Sequence, residues 1–155
     1  MSFYIRIICK STNPIASQEI IDFIENGAYL DNPSFLPSSD VLDKESGNWS
    51  SFSLTLNAVR PAITFDINAG DDLFREERAE LLSSLIRTQN SQEIKRHLDN
   101  SKQTISIELD LAQINDDDWE MLDSLEGYLA RKYEGLIYVL EEGYFDHNLK
   151  LLYKN

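Results

Sequence analysis

Hydrophobic and polar residues alternate with a period of two in four stretches of the chain, and this alternation predicts strands with one apolar and one polar face. Phe3, Ile5, Ile7 and Cys9 alternate with Tyr4, Arg6, Ile8 and Lys10. Phe52, Leu54 and Leu56 alternate with Ser53, Thr55 and Asn57, and Ile63, Phe65 and Ile67 with Thr64, Asp66 and Asn68. Ile105, Ile107 and Leu109 alternate with Thr104, Ser106 and Glu108. The short connection ending in Pro61 makes the second and third of these a hairpin, with the proline at the turn or strand start because it cannot donate to a ladder. Leu136–Leu140 is an almost continuous apolar run, as expected of a strand covered on both faces. Phe145 and the looser alternation of Leu149, Leu151 and Tyr153 predict a closing hairpin with His147 and Asn148 at its turn.

Between the strands the period changes to that of helices. Asn13 and Pro14 form a capping and first-turn pair ahead of Ile20, Ile21 and Ile24, and Gly27 ends that helix, which spans about residues 14–26. Asp71 or Asp72 caps a second helix with the stripe Phe74, Leu81, Leu82, Leu85 and Ile86, followed by a short piece capped by Ser91 and carrying Ile94, His97 and Leu98. Asn115 and Asp116–Asp118 open a third helix, whose stripe is Trp119, Leu122, Leu125, Leu129 and Tyr133, interrupted by Gly127 and ended by Gly135. Residues 27–50 show no period and read as a loop of about 24 residues, long against a usual median of ~4–6. Tyr29, Phe35, Leu36 and Trp49 are too apolar for a solvated tether. They pin the loop over one end of the core, or Phe35 and Trp49 offer aromatic anchors to a partner.

The order strand, helix, strand, strand, helix, strand matches the split βαβ arrangement called ferredoxin-like, here with a C-terminal helix and two further strands. The expected class is α+β in one domain over residues 1–155, with a mostly antiparallel sheet and helices on one face. The opposite face would carry Arg6, Lys10, Asp66 and Glu108 among smaller polar residues, a candidate ligand or dimerisation face on which Arg6 and Lys10 would meet an anion.

Charge changes the picture. Against 14 basic residues stand 27 acidic ones, a net charge of −13. A field of that sign repels nucleic acid and anionic lipid and favours either solubility alone or a basic protein partner. Residues 116–126 hold six acids and no base. Asp117, Glu120 and Asp123 lie opposite the apolar stripe and would form an outward acidic ridge.

Candidate chemistry is sparse. Asp66–Asp72 superficially resembles a calcium loop, but its glycine falls one position early and Ile67 belongs to a strand pattern. Asp116, Asp117 and Asp118 point in different directions from a first helical turn and make a poor magnesium cage. His97 and His147 have no second histidine or cysteine near them in sequence, so no metal site is expected. The single cysteine, Cys9, falls in an apolar strand and excludes an internal disulfide. No nucleophile elbow, phosphate loop or zinc-helix motif occurs, and no cofactor is expected. Neither a signal peptide nor a membrane span is predicted, and a reducing cytoplasmic setting fits. The expected function is a non-enzymatic acidic module that docks a basic protein, as an inhibitor or immunity-type protein does. Partner contacts would come from Asp117, Glu120, Asp123, Phe35 and Trp49. The alternative is a ferredoxin-like ligand-sensing or dimerising domain that uses the polar sheet face.

Overall fold

A computed structural model describes residues 3–27, 29–30, 33–36, 51–56, 62–86 and 90–154. Eight strands form one sheet: β1 (Phe3–Cys9), β2 (Ser34–Leu36), β3 (Ser51–Thr55), β4 (Ile63–Asn68), β5 (Gln103–Leu109), β6 (Gly135–Val139), β7 (Gly143–Phe145) and β8 (Leu151–Lys154). Four α-helices accompany it: α1 (Ser17–Asn26), α2 (Asp72–Ser84), α3 (Ser91–Asp99) and α4 (Asp116–Lys132). The strand order is β2-β3-β4-β5-β1-β6-β7-β8, and every neighbouring pair is antiparallel. The chain is therefore α+β with a fully antiparallel sheet among the described residues. No helix among them is long and apolar enough to cross a membrane.

The order departs from the expected ferredoxin-like core. There the strand following the hairpin would bypass its neighbour and return beyond β1. Here β5 sits between β4 and β1. The physical cause is the pair α2 and α3, which pack on each other. Two helices carry the chain out and back, so it re-enters the sheet beside β4 and antiparallel to it. A single helix would have returned it parallel and one strand away. That simpler crossover does occur once: α4 links β5 to β6, the two strands that flank β1.

Helices cover both faces, not one. The larger core joins Ile5, Ile7, Phe65, Ile107 and Ile137 of the sheet to Ile20, Ile21 and Ile24 of α1 and Leu122, Leu125 and Leu129 of α4. On the other face Ile8, Leu136, Tyr144 and Tyr153 pack with Leu81 of α2 and Ile94 and Leu98 of α3. The face expected to be polar is thus apolar over the β1–β6–β7–β8 half, and α2 and α3 bury that half. Leu136 and Ile137 point into different cores, as the unbroken apolar run of β6 predicts.

Two local expectations also change. Within residues 27–50, Ser34–Leu36 pair with Ser53–Thr55, and Phe35 is buried against Phe52 with ring centroids 6.2 Å apart. Three residues are too short to show a period. Helix α1 starts at Ser17, three residues after Pro14, and Ala16 caps it without a side-chain bond. Residues 11–13 belong to no helix, and the Gln103 side-chain amide donates to the Ser11 and Asn13 carbonyls at 2.8 Å each. Of the two candidate caps of α2, Asp71 fills the position, accepting from the Phe74 amide at 2.7 Å. Pro61 and Trp49 lie outside the described residues.

Candidate functional site

Helix α4 positions the acidic groups. Its start is locked by a capping box: Asn115 Oδ1 accepts from the Asp118 amide and Asp118 Oδ2 from the Asn115 amide, both at 2.9 Å. Asp116 and Asp117 in the same turn complement the positive end of the helix dipole. Met121, Leu122, Leu125 and Leu129 anchor the inner side in the core, which leaves Asp117, Glu120 and Asp123 exposed. That is the predicted ridge. Asp118 is buried by its capping role, and Glu126 is buried as well.

Trp119, Asp123 and Glu126 follow one another at spacings of four and three, so they share one edge of the helix. This edge faces β6 and β7 across a cavity of about 350 Å³. Trp119, held edge-to-face against Phe3 at 6.3 Å, forms one wall, and Val139 and Phe145 form another. Asp123 and Glu126 enter from α4, and Glu142 enters from the turn between β6 and β7. No lysine, arginine or histidine among the described residues lines it. The far rim is the β7–β8 loop, tied by Asp146 Oδ1, which accepts from the Asn148 and Lys150 amides at 2.9 Å each.

Glu126 is 2% exposed, and its Oε2 has no hydrogen-bond partner among the described residues. Burial, reinforced by the negative charges of Asp123 and Glu142, pushes its carboxyl up to about 8. Near neutral pH it is therefore largely protonated. Burial raises Asp123 as well. The spacing along α4 was a usable signal for this cavity, but nothing local to Glu126 distinguishes it from the exposed acids beside it.

The residues expected on the polar sheet face do not converge. Arg6 lies beneath α2, with its guanidinium 3.7 Å from Glu77, and both side chains are mostly buried. Ser106 and Asp66 continue the same cross-strand row. Arg6 Nε, Glu77 Oε2, Ser106 Oγ and the Tyr144 hydroxyl are buried without hydrogen-bond partners among the described residues. Lys10 is at the far end of β1, beside a separate cavity of about 410 Å³ with Arg96, His97 and Glu93 of α3. Glu108 is exposed, opposite Tyr4 and Thr64. Phe35 belongs to the core and is not available on the α4 flank.

The nucleophile and histidine candidates are in structural settings. Burial pushes the Cys9 thiol up to about 12, far from the thiolate. His97 Nε2 donates to the Ile8 carbonyl at 2.6 Å, and burial holds its pKa below the ordinary value. Among the described residues no group of three or more His, Cys, Asp or Glu side chains could hold a metal ion. Comparison with known proteins finds no match, whether among family models, curated proteins or solved structures.

Proposed function

We propose that this chain is a non-enzymatic binding module that docks a basic protein on the outer flank of α4, as an inhibitor or immunity-type protein would. The observation that carries this reading is the continuity of negative charge. Asp117, Glu120 and Asp123 are exposed along one side of α4, and Asp123 leads directly to the cleft that it shares with Glu142. A rigid helix held by a double cap and four core residues presents these charges with little entropy left to lose. A surface of this kind accelerates encounter with a positive partner and rejects negative ones. The other half of the expected contact set does not join it: Phe35 is in the core, and Trp49 lies outside the described residues.

The alternative, a ligand or second copy held on the polar sheet face, has less surface to work with. Helices α2 and α3 occupy half of that face, and Arg6 is already paired with Glu77.

The test is crosslinking in the native cells, followed by association kinetics with the basic protein so captured. The association rate is expected to fall steeply from low to high salt. Replacing Asp117, Glu120 and Asp123 by their amides is expected to slow it by about tenfold or more at low salt. An association rate indifferent to both salt and these substitutions would overturn the proposal.

A further inference from the structure

We infer that the cleft between α4 and the β6–β7 turn receives one arginine side chain, its guanidinium set among Asp123, Glu126 and Glu142 and its methylene stem against Trp119 and Phe145. This deepens the docking proposal and rests on it for the source of the arginine.

Four observations lead to the same occupant. First, Glu126 is a nearly inaccessible acid whose Oε2 has no partner, although it lines a cavity open to the surface. Buried polar groups are normally satisfied, so an orphan of this kind marks a place where a donor belongs. Second, three acids and no base surround the space, which selects a cation. Third, no group of acids among the described residues could hold a metal ion. The three carboxyls that line the cleft therefore do not form a metal cage. A planar group with five outward N–H donors can span such a set; a compact ion cannot. Fourth, the walls are aromatic and aliphatic, and the volume of about 350 Å³ is at the small end of ligand sites, enough for a side chain but not for a helix. Guanidinium is weakly hydrated and stacks on aromatic rings, so such a cleft accepts it more readily than an ammonium group.

Asp123 on α4 and Glu142 in the β6–β7 turn are the charged groups facing Glu126. Strands β1, β6 and β7 and the β7–β8 loop contribute only apolar groups to the cleft. Repulsion among the three carboxyls is relieved by keeping a proton on Glu126. An entering guanidinium replaces that proton, Glu126 ionises, and the proton leaves to solvent. Affinity should therefore rise with pH.

The test titrates n-propylguanidinium into the protein and follows the indole N–H resonance of Trp119. Saturable binding is expected at pH 8, weakening about tenfold or more by pH 6 as the proton competes. Propylammonium is expected to bind about tenfold more weakly, and propanol not to bind. Glu126→Gln should weaken the complex about tenfold and remove its pH dependence. Glu142→Gln, an exposed position that cannot damage the core, should weaken it by a smaller factor. No saturable shift at pH 8, equal binding of propanol, or affinities unchanged in both variants would sink the inference. If the small cation fails to bind while salt-steered association with a basic protein persists, the cleft is not the contact and the docking proposal stands. If the cation binds while no such association is found, the docking proposal falls and the cleft remains a guanidinium site.

Discussion

Two glutamates on either side of α4 meet opposite fates. Glu19 projects from α1 toward the C-terminal half of α4, where Tyr128 donates to its Oε2 at 2.7 Å and Lys132 and Tyr133 also donate to its carboxylate. Burial alone would raise its pKa, but the three donors outweigh burial and hold the carboxyl below its ordinary range. Glu126 is on the other side of the same helix and has no such set of donors, so burial dominates there. The difference lies in the neighbours that the fold supplies, since the two side chains are chemically identical. A carboxylate with three donors is a clasp that fixes α1 to α4. A carboxyl without them is a cost to the fold, and the arginine proposed for the cleft would remove it.

The largest expected effect comes from neutralising the unsatisfied member. The carboxyl of Glu126 is raised from the ordinary 4.5 to about 8, so between those values the folded chain keeps a proton that the unfolded chain has lost. Its contribution to stability therefore falls as pH rises through that window. Glu126→Gln should flatten the fall and leave the variant more stable than the parent by about 2–4 kcal/mol at about pH 9. Thermal unfolding from pH 5 to 9 measures this, and parallel curves for the two proteins would refute it.

The clasp should respond with the opposite sign. A lowered folded pKa contributes stability that is present above the ordinary 4.5 and is lost as pH falls through the folded value. Glu19→Gln should cost about 1–2 kcal/mol at neutral pH, a modest figure because Lys132 is half exposed and screened. Urea unfolding of the variant should also show a shallower loss on the acid side. A variant as stable as the parent would mean that the tyrosines and Lys132 do not hold α1.

The smallest effect should come from Asp123→Asn. Removing one of the two charges that raise Glu126 should move the midpoint of its titration to lower pH and return a few tenths of a kcal/mol at about pH 8. Carbon-detected NMR of the Glu126 carboxyl reads this directly. An unmoved midpoint would mean that the Asp123 charge does not contribute to the raised pKa of Glu126.

Much of the architecture was legible. Alternation assigned β1, β3, β4 and β5 and placed Phe65 beside Ile107 on one face, where they pair in register. The Asp71–Asp72 pair and the run Asn115–Asp118 marked two helix starts, because a capping side chain acts within three residues of its own position. The α4 ridge was legible for the same local reason, since Asp117, Glu120 and Asp123 follow from helical spacing against a strong apolar stripe. Strand β2 was not legible, because three residues borrow their order from β3. The second helical layer was also hidden. Ile8, Leu136, Tyr144 and Tyr153 are far apart in sequence, and only the strand order makes them a continuous apolar patch for Leu81, Ile94 and Leu98.

The sequence by itself determined which side of β3, β4 and β5 is apolar, where two of the helices begin, and the sign and location of the surface charge. All three depend on neighbours within a few residues. Only the tertiary structure decided the strand order, the placement of helices on both faces, and the contrast between Glu19 and Glu126. Each of these depends on partners that approach across the sheet or between helices, and desolvation and hydrogen-bond supply are properties of that approach, which no local pattern encodes.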